Sequence, residues 1–217
     1  MAVVDYGVGN LFSVQNACRH AGLDSVVTAS RTEIHASDAI ILPGVGAFGY
    51  AMAQLRRLDL TGALRDAALS GKPLVGICLG MQLLMTESLE FGRHEGLGLV
   101  PGRVVRLEGG AAPRPVKVPQ VGWNRMEKPA PGTGGDPWAG TLLQRLPDGV
   151  HMYFVHSYFV QPEDETVAIA WTRYGPQRFC SALQRGNIFA CQGHPERSGP
   201  RGLLVYHNLA STLRAGH

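Results

Sequence analysis

Short apolar runs alternate with helix-spaced stretches along the first hundred residues. Residues 2–4 are apolar and stop at Asp5. Beyond a glycine-rich turn, Leu11, Val14, Cys18 and Ala21 recur at intervals of three and four, the spacing of one helix face. Residues 25–28 and 39–42 read as further strands, the second closed by Pro43-Gly44. Helix-like stretches cover residues 51–57 and 60–69, residues 73–78 read as a buried strand, and residues 79–87 as another helix. Strands alternating with helices predict crossover connections and a parallel sheet covered on both faces.

The pattern changes in the second half. Residues 103–107, 116–118, 150–160, 167–172, 179–183 and 187–191 are strand-like with few helices between them, which predicts an antiparallel section joined to the parallel sheet. A final helix over about residues 202–213 carries Leu203, Tyr206, Ala210 and Leu213 on one side. Two stretches rich in Gly and Pro, 108–115 and 129–140, read as surface loops and not as linkers, because strand patterns resume beyond each. No repeat interrupts the picture, so residues 1–217 are expected to form a single α/β domain.

Composition narrows the function classes. Of 217 residues 45% are hydrophobic, enough for a sizeable core, and 17% are charged, below the roughly 25% of an average domain and unlike a disordered chain. The net charge is +3 with no basic run longer than Arg56-Arg57, which argues against nucleic acid as a partner. No apolar run has the length of a membrane span. The start MAVVDYGVGN lacks a basic region and puts Asp5 where a signal peptide is apolar. Cys18, Cys78, Cys180 and Cys191 show no CxxC spacing, which excludes a zinc ribbon and a thioredoxin-type pair. A soluble, reduced, cytoplasmic domain is the expectation.

Chemistry enters at Gly76-Ile77-Cys78-Leu79-Gly80, where a buried strand meets a helix. This is the cysteine form of the nucleophile elbow. Small residues two positions to either side let strand and helix pass at a sharp turn. A helix start beside the sulfur favours thiolate, and the Leu79 amide points to where an oxyanion would form. The bland alternative is a buried structural cysteine, the reading adopted for Cys18 on its helix face and for Cys180 and Cys191 in apolar strands. A cysteine nucleophile needs a base, and the base needs an orienting group. Of eight histidines, His194 stands out, because His194-Pro195-Glu196 follows a strand and places imidazole and carboxylate on a stiff turn. A loop with a capping glutamate is the bland reading there. His20, His35, His94, His207 and His217 read as solvated or packing residues.

Taken together these motifs resemble the class I (triad) glutamine amidotransferases. Asp5 to Asn10, Pro43 to Phe48, Gly96 to Gly102, Gly122-Trp123-Asn124 and His156-Ser157-Tyr158 narrow the resemblance to the glutaminase-subunit family of imidazole glycerol phosphate synthases, in that family's order over residues 5–199. The resemblance implies a flavodoxin-like fold whose parallel central sheet is flanked by helices, with an additional antiparallel section. It implies that Cys78 attacks the carboxamide of L-glutamine, that His194 oriented by Glu196 moves the proton, and that a glutamyl thioester is then hydrolysed. It further implies an oxyanion strand at Pro43 to Gly46 working with Leu79, and glutamine held by Gln82, Ser157 and Tyr158 along with backbone near Gly44. Asn10, Trp123 and Arg197 match positions at the interface with a (β/α)8-barrel cyclase, the heterodimer partner that takes the ammonia in histidine biosynthesis. No cofactor and no metal are implied. Three features depart from the family's usual pattern: Gln192-Gly193 where Gln-Phe is common, Gln120-Val121 ahead of Gly-Trp-Asn, and Arg197 in place of lysine.

Rival readings are weaker. Gly44 to Gly49 satisfies G-x-G-x-x-G, but a dinucleotide site wants an acid at the next strand end, and Asp66 lies in a helix-spaced stretch. Trp123 is also readable as a packed core aromatic. The same ammonia chemistry feeding a sugar amidotransferase of surface-polysaccharide synthesis is the alternative acceptor, and a non-catalytic module that has kept the fold is the third class.

Overall fold

The computed structural model describes residues 1–110, 115–130 and 135–215. The expected loops 108–115 and 129–140 lie partly outside these residues, and His217 wholly so. At the centre β1 (Ala2–Val4) pairs in parallel with β2 (Val26–Thr28) on one side and β3 (Ile40–Leu42) on the other. Next come β4 (Leu74–Ile77) and then β13 (Ile188–Cys191), both parallel. β1, β3, β4 and β13 are buried at every position, and the cause is the double covering. Val4, Ile40, Leu42 and Leu74 face one core with α2 (Arg31–Ala36), α3 (Phe48–Arg57) and α4 (Leu60–Leu69), through Ile34, Leu55 and Leu64. Their neighbours Val3, Ile41, Val75 and Ile77 face the other, with α1 (Leu11–His20) and α6 (Gly199–Ala215), through Val14, Cys18, Val205 and Leu209. Each such aliphatic side chain contributes about 1.5–3 kcal/mol by leaving water.

Beyond β13 the same sheet turns antiparallel. β12 (Gln177–Arg185) pairs with β13, with β11 (Ala168–Tyr174) and with β10 (Tyr158–Pro162), which pairs with β7 (Val100–Arg106). β5 (Met85–Ser88), parallel to β7, and β6 (His94–Glu95), antiparallel to β5, complete that side. A separate ribbon of β8 (Gln120–Met126) and β9 (Val150–His156) runs in unbroken register from Gln120 opposite His156 to Met126 opposite Val150.

Three expectations need correction. The helix expected over 79–87 is only α5 (Leu79–Leu83), and the chain then becomes β5. The amides of Leu97 and Leu99 bond the Leu83 and Leu84 carbonyls, which a continuing helix would need for its own next turn. Residues 116–118 are not a strand; β8, which was not anticipated, starts just after Pro119 and turns Val121 and Trp123 to solvent. The run 150–160 divides at Ser157 into β9 and β10, which belong to different sheets. The short helix α2 was also missed, because it buries Ile34 and little else.

Because β1, β3, β4 and β13 run parallel, their carboxyl ends share one edge. The order β2-β1-β3-β4 reverses direction at β1, and such a switch point opens a crevice there. Residues that follow the four strands are therefore brought together: Asp5 to Asn10, Pro43 to Ala47, Cys78, and Gln192 to Glu196.

One glycine makes this packing possible. A Cβ on Gly80 would lie 1.8 Å from the Leu42 carbonyl oxygen, a backbone atom that cannot swing aside. Gly80→Ala is expected to lower stability by about 3 kcal/mol or more; a urea-unfolding midpoint equal to that of the parent chain would contradict it.

Candidate active site

Cys78 sits between the last residue of β4 and the first of α5 with φ 54° and ψ −110°. For a residue with a Cβ such a conformation costs about 1–3 kcal/mol and needs neighbours that impose it. Here the Cys78 amide donates to the Cys191 carbonyl at 2.8 Å, which ties the turn to β13. Gly76 admits α5 from the other side, since a Cβ there would lie 3.0 Å from both Leu84 Cδ1 and the Met81 nitrogen. With five residues, α5 carries little of a long helix's dipole. The free amides of its first turn supply the local positive field.

His194 and Glu196 follow β13 on a tight turn, Pro195–Arg197. His194 Nδ1 donates to Glu196 Oε1 at 2.7 Å, with the two side chains 4% and 1% exposed. The imidazole is fixed at its backbone too: its amide donates to the Tyr153 carbonyl at 2.8 Å, and the Ser198 hydroxyl donates to its carbonyl at 2.6 Å. Burial opposes charge on the ring. The negative charge of an ionised Cys78 and the Glu196 carboxylate outweigh that and push His194 up to about 10. Nε2 is buried without a hydrogen bond of ordinary geometry, so it is the nitrogen available for proton transfer.

Cys78 opens into a cleft of about 380 Å³ bounded by Val45, Gly46, Leu79, Gln82, Ser157 and Tyr158. A larger cleft of about 600 Å³ lies along β10, β11 and β12, lined by residues such as Arg103, Trp171 and Arg178. It contains neither Cys78 nor His194, so size alone does not locate the chemistry. Among the described residues, the backbone amides of Gly44, Val45, Gly46 and Leu79 have no acceptor. They are donors suited to an oxyanion. Gly44 lies under Tyr6, where a Cβ would fall 2.4 Å from the phenol oxygen; that hydroxyl donates to the Pro43 carbonyl at 2.6 Å and holds the segment down. Gln82 donates through Nε2 to the Tyr158 carbonyl at 2.9 Å and to Gln192 Oε1 at 3.0 Å.

The residues assigned to the interface separate. Arg197 stacks 4.5 Å over the Tyr153 ring, and Trp123, 57% exposed, meets the same ring edge-on at 6.1 Å. Trp123 is therefore not the core aromatic it could have been. Asn10 stands apart from this stack as the N-cap of α1, accepting from the Ser13 amide at 3.2 Å.

Several residues at the site were not singled out in the sequence. Tyr6 was legible only as part of Asp5 to Asn10, Gln192 only as part of Gln192-Gly193, and His156 only as part of His156-Ser157-Tyr158. His156 is buried and pushed down to about 4 by burial, opposed by its bond to the Tyr158 carbonyl. It is a neutral ring that donates through Nδ1. Glu90 and Phe91 line the cleft from a loop with no sequence signal. Glu90 also accepts from the Phe48 amide at 2.5 Å. A carboxylate thus occupies the helix start to which G-x-G-x-x-G would have brought a phosphate, and Asp66 lies within α4. The other thiols are buried: burial pushes Cys18 up to about 11 and raises Cys180 and Cys191 as well. A Cβ on Gly193 would lie 3.1 Å from Met152 Cβ, a tight contact that β9 would have to ease to admit the phenylalanine common at that position. Among the described residues there is no group of three or more metal-binding side chains, and no helix is long and apolar enough to cross a membrane.

Residues 2–208 match the family model of Glutamine amidotransferase class-I. The chain is 45% identical over 221 residues to Imidazole glycerol phosphate synthase subunit HisH of Moorella thermoacetica, covering 100% of this chain and 99% of that protein. It is 43% identical to the subunit HisH of Rhodopirellula baltica, with 97% of each covered. Among solved structures, PurLQS from Thermotoga maritima superposes with a TM-score of 0.69 at 20% identity, over 98% of this chain and 97% of that one, a likeness of fold.

The charge coupling can be read directly. The His194 ring should keep its proton at neutral pH and lose it near pH 10, whereas in Cys78→Ala its midpoint should fall, since one source of negative charge is gone while Glu196 remains. Ring nitrogen NMR shifts against pH measure this; identical curves for the two proteins would separate Cys78 from His194.

Proposed function

Since the chain belongs to the class-I glutamine amidotransferases, among the HisH subunits of imidazole glycerol phosphate synthase, we propose that it hydrolyses glutamine to glutamate and ammonia through a thioester on Cys78 and supplies the ammonia to a cyclase subunit in histidine biosynthesis. The observation that carries this reading is the placement of a strained cysteine, its neighbouring free amides and a buried His194–Glu196 pair at the ends of adjacent parallel strands.

The geometry supports the following steps. Glutamine enters the cleft with its carboxamide over Cys78, held by Gln82, Ser157 and Tyr158. The sulfur forms a bond to the carboxamide carbon while the carbonyl π pair moves to oxygen, where the Leu79 amide and one from Gly44 to Gly46 receive it. The C–N bond then breaks as His194 delivers its Nε2 proton to the departing nitrogen, releasing ammonia. Water adds to the thioester carbon, giving its proton to His194, and the C–S bond breaks to free glutamate. Glu196 holds the ring throughout with Nδ1 turned away from the substrate.

Of the two acceptors raised by the sequence, the relatives favour the cyclase over a sugar amidotransferase. The partner is a (β/α)8-barrel cyclase in a heterodimer, engaged through Trp123, Arg197 and Asn10. Exposed Val121, on the same outward side of β8 as Trp123, extends that surface. We place the protein, as one domain over residues 1–217, in the cytoplasm.

Cys78→Ala should abolish glutamine-dependent synthesis in the reconstituted complex while leaving synthesis from ammonium salts intact. Persistent use of glutamine by that variant would remove Cys78 as nucleophile. Arg197→Glu should weaken association with the cyclase about ten-fold, a loss typical of a charge at an interface, with the melting temperature of the isolated chain unchanged. An unaltered dissociation constant would take Arg197 out of the interface.

A further inference from the structure

We propose that Gln192 is the side chain that holds the Cys78 sulfur as an anion, and that its direction is dictated by a relay of two amides starting at the carbonyl of Tyr158. The inference rests on the reading of Cys78 as nucleophile and adds a residue to it. Gln192 is fully buried, its backbone amide donates to the Ser181 carbonyl at 2.9 Å, and its side-chain Nε2 lies 3.5 Å from Cys78 Sγ.

The polarity of the relay follows from what each atom can do. A carbonyl oxygen accepts and never donates, so the Gln82 atom 2.9 Å from the Tyr158 oxygen is the amide nitrogen. That same nitrogen lies 3.0 Å from the Gln192 side chain. The Gln192 atom it meets is therefore the oxygen, and the Gln192 nitrogen is left facing the sulfur. Turning Gln192 over would set nitrogen against nitrogen at one end and an oxygen against the sulfur at the other. The anchor is itself secured, because the Tyr158 oxygen also receives His156 Nδ1 at 2.9 Å, which occupies both of its lone pairs. A sulfur that is to be an anion in a buried turn is thereby given a donor with no freedom to reverse.

The relay also reaches the substrate. Gln82 lines the cleft, and its Oε1 takes no hydrogen bond from the described residues. A donor on glutamine that binds this oxygen polarises the amide, and hydrogen bonds in series strengthen one another. Occupancy of the cleft and the donor on the sulfur are linked through the two side chains.

The test is the pH dependence of Cys78 alkylation by iodoacetamide in the full chain, followed by mass spectrometry of the Cys78 peptide. The charged and titratable groups around the sulfur are His194 with Glu196 after β13, His156 on β9, Tyr6 after β1, Cys191 on β13 and Glu90 across the cleft. All are retained in each variant, so in the two methionine variants a difference reports the amide. Gln192→Met keeps the volume and removes the donor; its midpoint should rise, with alkylation at neutral pH about ten-fold slower. Gln192→Glu sets a carboxylate against the sulfur and should slow it further. Because position 192 is buried, Gln82→Met provides a second route. It leaves Gln192 in place without the nitrogen that orients it, and roughly three-fold slower alkylation is expected. A profile identical to that of the parent chain in any of these variants that melts cooperatively overturns the relay. If the profile is unchanged while Cys78→Ala is dead with glutamine, the nucleophile stands and only the relay falls.

Discussion

The site depends on how closely a strand end and a helix start can approach one another. Cys78 adopts a left-handed backbone because β4 must stop, reverse and enter α5 within one residue, and because Gly80 passes against the Leu42 carbonyl with no room for a methyl group. This contact between β3 and α5 is one of backbone against backbone. It is tolerant of little and therefore precise. The sulfur is projected from the sheet edge by the same strain that the flanking cores hold in place.

The parallel centre of the sheet does the rest of the positioning. Cys78 and His194 are more than a hundred residues apart in sequence, yet β4 and β13 are adjacent and in register, with Ile77 opposite Cys191. The residues that follow the two strands meet without a long side chain having to reach. Buried charge in such a place needs compensation. The Glu196 carboxylate has His194, His194 has the charge on Cys78, and the neutral ring of His156 adds no second cation to the group.

Much of this was legible because the sequence marks it with residues of special backbone geometry. Gly76, Gly80 and Pro195 mark turns that other residues make poorly, and continuous apolar runs at 39–42 and 73–78 mark strands covered on both faces. What escaped was decided by distant partners. Residues 79–87 have a helical pattern, but carbonyls that a helix would use are taken by Leu97 and Leu99. β8 escaped because Val121 and Trp123 are apolar on the solvent side, which reverses the usual sign of the alternation. Gln192 looks like an ordinary amide in sequence, and the resemblance marks Gln82 only as a substrate contact. Their meaning comes from Tyr158, which a strand break at Ser157 turns toward them.

The β8–β9 ribbon also has a mechanical meaning. On its outer surface it carries Trp123, and on its inner strand Tyr153 offers the carbonyl that takes the His194 amide, while the Val155 carbonyl stands 4.0 Å from the sulfur. It lies outside the large sheet and is tied to it through the bridge between Glu127 and Trp171. A push on the tryptophan that tilts this ribbon must either drag the imidazole along or break the bond that anchors it, so the outer face of the ribbon is coupled to the histidine through one hydrogen bond.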